Sequence, residues 1–182
     1  MDPTNPKNLR RSRWFPLLLI LVIILGGVLW AIWRRPREAA VQVYFIKVDP
    51  VTHQGTVAPV IRRTRAGEPR FLLRAALEAL LAGPTPEEKA EGLSTEIPPG
   101  ARLRDLEIRD GVVYADFTRE VESGGGSFSM QGRLWQIVYT ATQLPEGTRV
   151  RILIEGEERE VLGGEGLWIG EPLARPPALP SF

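Results

Sequence analysis

The longest apolar stretch of the chain runs from Trp14 to Trp33 and contains no charged side chain. At a rise of 1.5 Å per residue, a helix of this length is about 30 Å long, which matches the hydrocarbon core of a bilayer. A helix satisfies its own main-chain hydrogen bonds, and lipid offers no other partner for them. Trp14, Trp30 and Trp33 stand at the two ends, where indole rings favour the membrane interfaces. The pattern therefore predicts one transmembrane helix over residues 14–33.

Basic residues flank this stretch on both sides. They are Lys7, Arg10, Arg11 and Arg13 before it and Arg34, Arg35 and Arg37 after it. The arginines that follow make a poor cleavage site, so we expect an anchor that is not removed. Because the larger basic cluster comes first, the positive-inside rule favours a cytoplasmic segment at residues 1–13. After a linker at residues 34–40, the rest of the chain is then expected to lie outside the cytoplasm.

Alternating and helical patterns follow the linker. Apolar side chains alternate from Val41 to Phe45, which predicts a strand, and residues 56–62 predict a second strand with Pro59 at an edge or bulge. Apolar residues then recur at helical spacing over residues 69–82, and Gly83-Pro84 ends that helix. A capping box formed by Thr85 and Glu88 predicts a short second helix.

A hairpin is predicted at Asp110-Gly111, because a two-residue loop of this kind favours a type I′ turn. This register pairs Arg109 with Val112 and Leu106 with Ala115. It places the apolar side chains Leu106, Ile108, Val113, Ala115 and Phe117 on one face. The agreement between turn chemistry and side-chain alternation supports both predictions.

A helix over about residues 129–144 and a strand over 148–154 complete the main pattern, with Ser127 or Ser129 as the expected N-cap of the helix. The elements predict an α+β fold: a single domain at residues 41–175, with helices packed on a mixed or antiparallel sheet and preceded by one transmembrane helix. Residues 176–182 form a proline-rich tail, which we expect to be extended and loosely held.

Charge is distributed unevenly between the two parts. The first 38 residues carry a net charge of +5, whereas the remaining chain carries −4. An acidic outer domain argues against nucleic acid as a partner. The chain has no cysteine, so it has neither disulfides nor a thiolate metal site, and its one histidine, His53, lies in a loop without the ligands that zinc needs. We expect no cofactor and no metal.

A polar group on the helix near residue 137 is the candidate binding site. It consists of Arg133, Gln136, Thr140 and Gln143, to which we add Arg119. Amides and hydroxyls donate and accept hydrogen bonds, which suits glycan hydroxyls or a partner's main chain. We hypothesise that this face binds envelope proteins or peptidoglycan. The alternative is a solvated face without a ligand.

Other chemistry has weaker support in the sequence. Asp116 with Glu120 or Glu122 is the best carboxylate pair for an enzyme that cleaves a cell-wall polymer. Acids at a strand end are ordinarily solvated, however, and we predict no catalytic residue. The glycines at 124–126 precede a helix and could cradle an anion, although a hinge is the favoured interpretation.

Four segments, in this order and at this spacing, resemble the GerMN domain family. They are LLAGPTPEEKAEGLSTEIPPGARL from Leu80, DGVVYADFTRE from Asp110, QIVYTATQLPEGTRVRILIEG from Gln136 and GEGLWIGEPLAR from Gly164. The resemblance implies an extracytoplasmic domain behind a lipid or transmembrane anchor. It also implies a non-enzymatic role in assemblies of the bacterial envelope, with a sporulation- or germination-type role among the expectations. The rivals are a cell-wall enzyme and a self-associating structural subunit.

Overall fold

The structure is a computed structural model, which describes residues 19–21, 23–27, 30, 37–164 and 166–182. The chain divides into two compact units, Met1–Arg37 and Glu38–Phe182. In the first unit the described residues are helical up to residue 30, with exposed side chains. The other residues of the predicted span, and all of the predicted basic segment 1–13, lie outside the described residues. None of the helices in the described part of the chain has both the length and the apolar character that crossing a membrane requires.

The second unit contains ten strands and three α-helices among its described residues. The strands are β1 (Glu38–Val48), β2 (Gly55–Arg65), β3 (Leu93–Ser94), β4 (Leu103–Arg109), β5 (Val112–Phe117), β6 (Arg149–Ile154), β7 (Glu157–Glu158), β8 (Val161–Leu162), β9 (Leu167–Trp168) and β10 (Leu173–Ala174). The helices are α1 (Pro69–Ala82), α2 (Pro86–Ala90) and α3 (Ser127–Ala141), and a 3-10 helix spans Arg119–Glu122. The first strand begins within the predicted linker, three residues earlier than expected.

The strands form two main sheets. The first has the order β2-β1-β3 and is antiparallel, whereas the second has the order β10-β6-β5-β4, with β7 added to β6. In the second sheet β5 and β6 run parallel, while β4 and β10 pair antiparallel with their neighbours. A separate ladder joins β8 to β9. The predicted α+β class is therefore confirmed.

The hairpin at Asp110-Gly111 has the predicted register. Arg109 pairs with Val112, and Leu106 pairs with Ala115. Both loop residues have a positive φ, 51° at Asp110 and 74° at Gly111. This is the conformation that a type I′ turn requires, and it is why an Asp-Gly pair suits the position.

The main core lies between the sheets and helices α1 and α3. It takes Phe45 from the first sheet, Leu77 from α1, Phe117 and Ile152 from the second sheet and Ile137 from α3, all essentially without exposed surface. A second cluster on the other side of β1 contains Tyr44, Ile46, Val57 and Tyr139. Because both faces of β1 are covered, this strand is the centre of the first sheet in packing as well as in order.

The C-terminal tail is held against β2, which corrects the expectation of a loose tail. Phe182 donates to the Gly55 carbonyl at 3.1 Å and accepts from the Gly55 N–H at 2.7 Å. Ser181 forms a bridge with Thr56, and the Phe182 ring lies 5.2 Å from that of Phe128. The tail is ordered because it extends the ladder at the start of β2 and buries an aromatic ring.

Helix α2 is fixed to β2 by one carboxylate. Glu88 closes the predicted capping box, since it accepts from the Thr85 N–H at 2.9 Å while the Thr85 hydroxyl accepts from the Glu88 N–H at 3.3 Å. The same carboxylate forms a bidentate pair with Arg62, whose second hydrogen bond is 2.6 Å long. The Arg62 guanidinium, and then the Thr85 N–H, lower the pKa of Glu88, although partial burial opposes them.

Replacing Glu88 with glutamine is expected to flatten the pH dependence of stability on the acid side. Because the folded pKa of Glu88 is lowered, its contribution to the free energy of unfolding is present above the unfolded value of about 4.3 and is lost as the pH falls through the folded value. Urea unfolding of the full chain in detergent micelles, from about pH 6 to about pH 3, should therefore show a smaller loss in Glu88→Gln than in wild type. The matched control is Glu91→Gln, at an exposed position just after the same helix. Equal losses in wild type and Glu88→Gln would contradict this account.

Candidate functional site

Polar residues of α3 face the second edge of β1, which is the edge that does not pair with β2. β1 pairs with β2 from Glu38 to Val48, whereas β3 covers its other edge only at Ile46 and Lys47. The main-chain groups of Gln42 and Tyr44 point towards this second edge. Buried N–H and C=O groups need partners, and no described strand supplies them there.

Two side chains of α3, and that of Gln143 just after the helix, supply these partners. Gln143 Oε1 accepts from the N–H of Gln42 at 2.7 Å, and its Nε2 donates to the Gln42 carbonyl at 2.8 Å. Thr140 Oγ1 accepts from the Tyr44 N–H at 3.2 Å, and Gln136 Nε2 donates to the Tyr44 carbonyl at 3.1 Å. The helix thereby takes the place of a neighbouring strand.

The expectation that this group forms a partner-binding face is corrected by its burial. Gln136 and Thr140 have no exposed surface, and Gln143 is half-buried with both amide atoms bonded within the chain. Gln136 Oε1 also accepts from the Glu96 N–H at 2.8 Å. Helical periodicity separates polar from apolar positions, but it does not show whether a polar position meets water or a strand edge.

Arg133 is buried as well, with 2% of its surface exposed. Its guanidinium donates to three carbonyls: those of Val121 at 2.6 Å, Glu96 at 3.1 Å and Gly124 at 3.2 Å. Burial lowers the pKa of Arg133, and the nearby charge of Glu96 partly opposes that shift. The side chain joins the 3-10 helix to the glycine loop before α3, so its role is to hold these segments together.

The glycine loop before α3 is therefore tied to the body of the domain at Gly124. The N-cap of α3 is Gly126, without a side-chain cap bond, so the prediction of Ser127 or Ser129 was wrong. Gly125 has a φ of 86°, and a Cβ there would lie 2.5 Å from the Ser129 hydroxyl. The glycine is needed for close approach of the loop to the helix.

Arg119 is the one predicted binding residue that is exposed. It opens the 3-10 helix, and its N–H donates to Glu155 Oε1 at 2.9 Å. Arg119 therefore differs in exposure from the buried group on α3. A contact with a partner through Arg119 stays a prediction.

Asp116, the first of the candidate catalytic carboxylates, is buried and bonded within the domain. It accepts from the N–H of Gly156 at 2.8 Å and from Arg104 Nη1 at 3.1 Å. Glu155 and Gly156 have positive φ values of 55° and 82°, so the carboxylate secures the tight turn between β6 and β7. Arg104 also lies 3.6 Å from Glu155, which completes a small ion-pair network.

Glu120 lies on the exposed 3-10 helix and has the wrong electrostatics for a glycosidase acid. A general acid needs a raised pKa. Here the Thr118 hydroxyl, followed by the main-chain N–H of Glu120 itself, lowers the pKa of Glu120, and the charges of Arg102 and Arg119 act in the same direction. Glu122, the other candidate, has a long hydrogen bond of 3.4 Å from the Gly163 N–H.

His53 occupies a turn, where it is exposed and has a φ of 56°. Asp49 stabilises that turn by accepting from the N–H groups of Val51 and Thr52, each at 2.8 Å. Across the described residues, no group of three or more histidine, cysteine or carboxylate side chains could hold a metal ion.

No pattern in the sequence indicates the role of Arg175. Its guanidinium lies 5.1 Å from the ring centre of Tyr44 and 4.9 Å from that of Tyr139, and it donates to the Tyr139 carbonyl at 2.6 Å. It also donates to the Thr142 hydroxyl at 3.1 Å. A single arginine after a short strand has no distinguishing pattern, so only the fold shows that it closes the second aromatic cluster.

Comparison with known protein families identifies the family of this domain. Residues 42–160 match the family model described as "Germane: Sporulation and spore germination". The chain belongs to this family. No curated protein matches the chain.

Solved structures agree with this assignment. The chain is similar to the tandem GerMN domains of the sporulation protein GerM from Bacillus subtilis, with 25% identity and a TM-score of 0.59 over 77% of this chain and 46% of that one. It thus spans about half the length of that protein. The first GerMN domain of GerM alone gives 21% identity and a TM-score of 0.58 over 75% and 98% of the two chains. A putative lipoprotein from Clostridium perfringens gives 20% and 0.54 over 76% and 89%, and these last two similarities show the fold. The predicted GerMN resemblance is confirmed.

The helix-to-strand hydrogen bonds can be tested with an isosteric substitution. Thr140→Val keeps the shape of the side chain but leaves the buried Tyr44 N–H without its acceptor, which is expected to cost about 1–3 kcal/mol of unfolding free energy. Chemical unfolding of the full chain in detergent micelles measures this loss. The control is Thr148→Val, which removes an exposed hydroxyl and is expected to change stability by less than about 0.5 kcal/mol. A Thr140→Val protein as stable as its control would show that the bond contributes nothing.

Proposed function

We propose that this protein is a membrane-anchored, non-enzymatic binding module of the bacterial cell envelope, with its Germane domain outside the cytoplasm. Membership of the sporulation and spore germination family is the observation that carries the proposal. The apolar sequence from Trp14 to Trp33 supports the anchor, because its length fits a bilayer and no charge interrupts it. The basic segment at residues 1–13 favours a cytoplasmic amino terminus.

The mechanism is presentation of the domain at the membrane surface. A tether confines the domain near partners in the same membrane, which raises its effective concentration for them without any added contact. Envelope proteins and peptidoglycan are the proposed partners. A role in sporulation is part of the proposal and is supported by the family and by the similarity to GerM, a sporulation protein.

The use of the polar side chains supports a role without catalysis. Asp116 is committed to Arg104 and to the β6–β7 turn, while the pKa of Glu120 is shifted away from that of a general acid. Gln136 and Thr140 are committed to the edge of β1. These groups build the domain, and a substrate would have to compete with their internal hydrogen bonds.

The anchor and its orientation can be tested with a reporter fused after Phe182. Alkaline phosphatase, which is active only outside the cytoplasm, should be active in cells, and the full chain should stay in the membrane fraction after a carbonate wash. In a matched variant, neutral residues replace Lys7, Arg10, Arg11 and Arg13, and this change is expected to reduce the reporter's activity because it removes the orienting charge. An inactive phosphatase fusion in wild type, or release of the chain by carbonate, would overturn the proposal.

The non-enzymatic role has a separate test. Purified full chain in detergent micelles should release no soluble fragments from peptidoglycan, and Asp116→Asn with Glu120→Gln should behave as wild type does in that assay. Wild-type turnover that is lost in the double variant would instead establish the cell-wall enzyme.

A further inference from the structure

Strand edges in this domain are closed in several ways. The second edge of β1 is closed by α3 and β3, and the outer edge of β6 is closed by β10 and β7. On β4, the Leu106 carbonyl accepts a hydrogen bond from Arg70 Nε on α1. Within the described residues, the outer edge of β2 has no such cover beyond its first two residues, where the tail is bound.

The hydrogen bonds of β1 show which groups of β2 face this edge. Tyr44 uses its N–H and C=O towards α3, so its pair with Pro59 is a non-hydrogen-bonded pair, in which both residues point their main-chain groups away from each other. The same alternation directs the groups of Ile61, Arg63 and Arg65 outward. Gly55 has this parity too, and its outward groups bind Phe182.

Pro59 limits where a new strand can pair. It has no N–H, and it sits at an outward-facing position, where β1 does not need one. Because the tail occupies Gly55 and Pro59 interrupts the donors that follow, the continuous available ladder is the segment from Ile61 to Arg65.

This segment is basic and accessible. The Arg63 side chain is 84% exposed, and its nearest acid, Glu38, lies 3.7 Å away and is itself 68% exposed. Such a pair contributes little in water and leaves the guanidinium free to exchange partners. Arg65 is exposed, and Ile61 on the same face is 67% exposed. Arg62 is not available, because it is paired with Glu88.

Charge also decides between two occupants of the edge. A second copy paired antiparallel about Arg63, the centre of this segment, would place the two Arg63 side chains directly opposite each other, and like charges opposite each other are destabilising. An acidic chain would instead place carboxylates beside both guanidinium groups.

We propose that the edge of β2 from Ile61 to Arg65 binds an extended acidic segment of a partner protein as an added strand. Main-chain hydrogen bonds supply the affinity, and Arg63 and Arg65 select the charge. The inference deepens the proposed binding role and rests on it, since it names the surface and the class of partner.

The test uses the full chain in nanodiscs and a fluorescent peptide of alternating glutamate and valine. Binding measured by anisotropy should be lost when alternate amides of the peptide are N-methylated, because that change removes the ladder donors but keeps the charge. Ile61→Pro removes an outward N–H of the protein and should weaken binding at least about tenfold, whereas Ile61→Val should not.

Charge selection is tested by reversal. Arg63→Glu with Arg65→Glu should abolish binding of the glutamate peptide and produce binding of the matched lysine-valine peptide. The control is Arg109→Glu on β4, where an exposed arginine lies on the other sheet, and it should bind as wild type does. Unfolding curves are measured for every variant, so that loss of binding is scored only in variants that are folded.

The outcomes separate this inference from the proposed function. No binding of the glutamate peptide by wild type, or equal binding of the N-methylated peptide, overturns the strand-addition proposal while leaving the anchored module intact. Peptide binding by a chain whose phosphatase fusion is inactive supports the edge but overturns the proposed location. An alternative result is self-association of the full chain in detergent micelles, which Ile61→Pro abolishes. This result would assign the edge to a second copy and overturn the acidic partner.

Discussion

The hydrogen bonds between α3 and the second edge of β1 are the constraint on which the rest of the domain depends. A central strand needs partners on both edges, and here Gln136 and Thr140 of the helix and Gln143 just after it provide them. These side chains have fixed lengths, so the helix is held at one distance and one rotation relative to the strand. That rotation turns Ile137 and Leu134 into the main core and Tyr139 towards the second cluster. The fold thus uses polar chemistry to set the positions of its apolar surfaces.

Hydrogen bonding within the chain also occupies several charged side chains of the domain that could otherwise react. Arg133 joins the 3-10 helix to the glycine loop, Asp116 fixes the β6–β7 turn and Glu88 fixes α2 to β2. Each buried charge is compensated by hydrogen bonds within the chain, and removing its partners would leave it uncompensated at considerable cost. Several residues that look chemically promising in the sequence, among them Arg133 and Asp116, therefore hold the architecture together.

Local patterns predicted the local structure well. The Asp110-Gly111 turn gave the correct register, because turn type and side-chain alternation are both determined within a few residues. The capping box at Thr85 was correct for the same reason. Gln136 and Thr140 were misplaced because their partners on β1 are more than ninety residues away in sequence, and nothing local distinguishes a strand edge from water. The docking of Phe182 on Gly55 was equally non-local, and no pattern around the prolines of the tail could reveal it.

Because β1 is hydrogen-bonded on both edges, it also affects how the domain resists a pulling force. The strand is the first element of the domain, so tension transmitted along the chain from the preceding residues reaches the domain at Glu38. β2 pairs with the strand along all of its length. Thr140 on α3 and Gln143 just after it form further hydrogen bonds with the other edge of the strand. Extraction of β1 would have to break bonds on both sides together, which distributes the force over many small interactions. A domain pulled from its amino-terminal end would therefore resist unfolding at the strand where the force is applied.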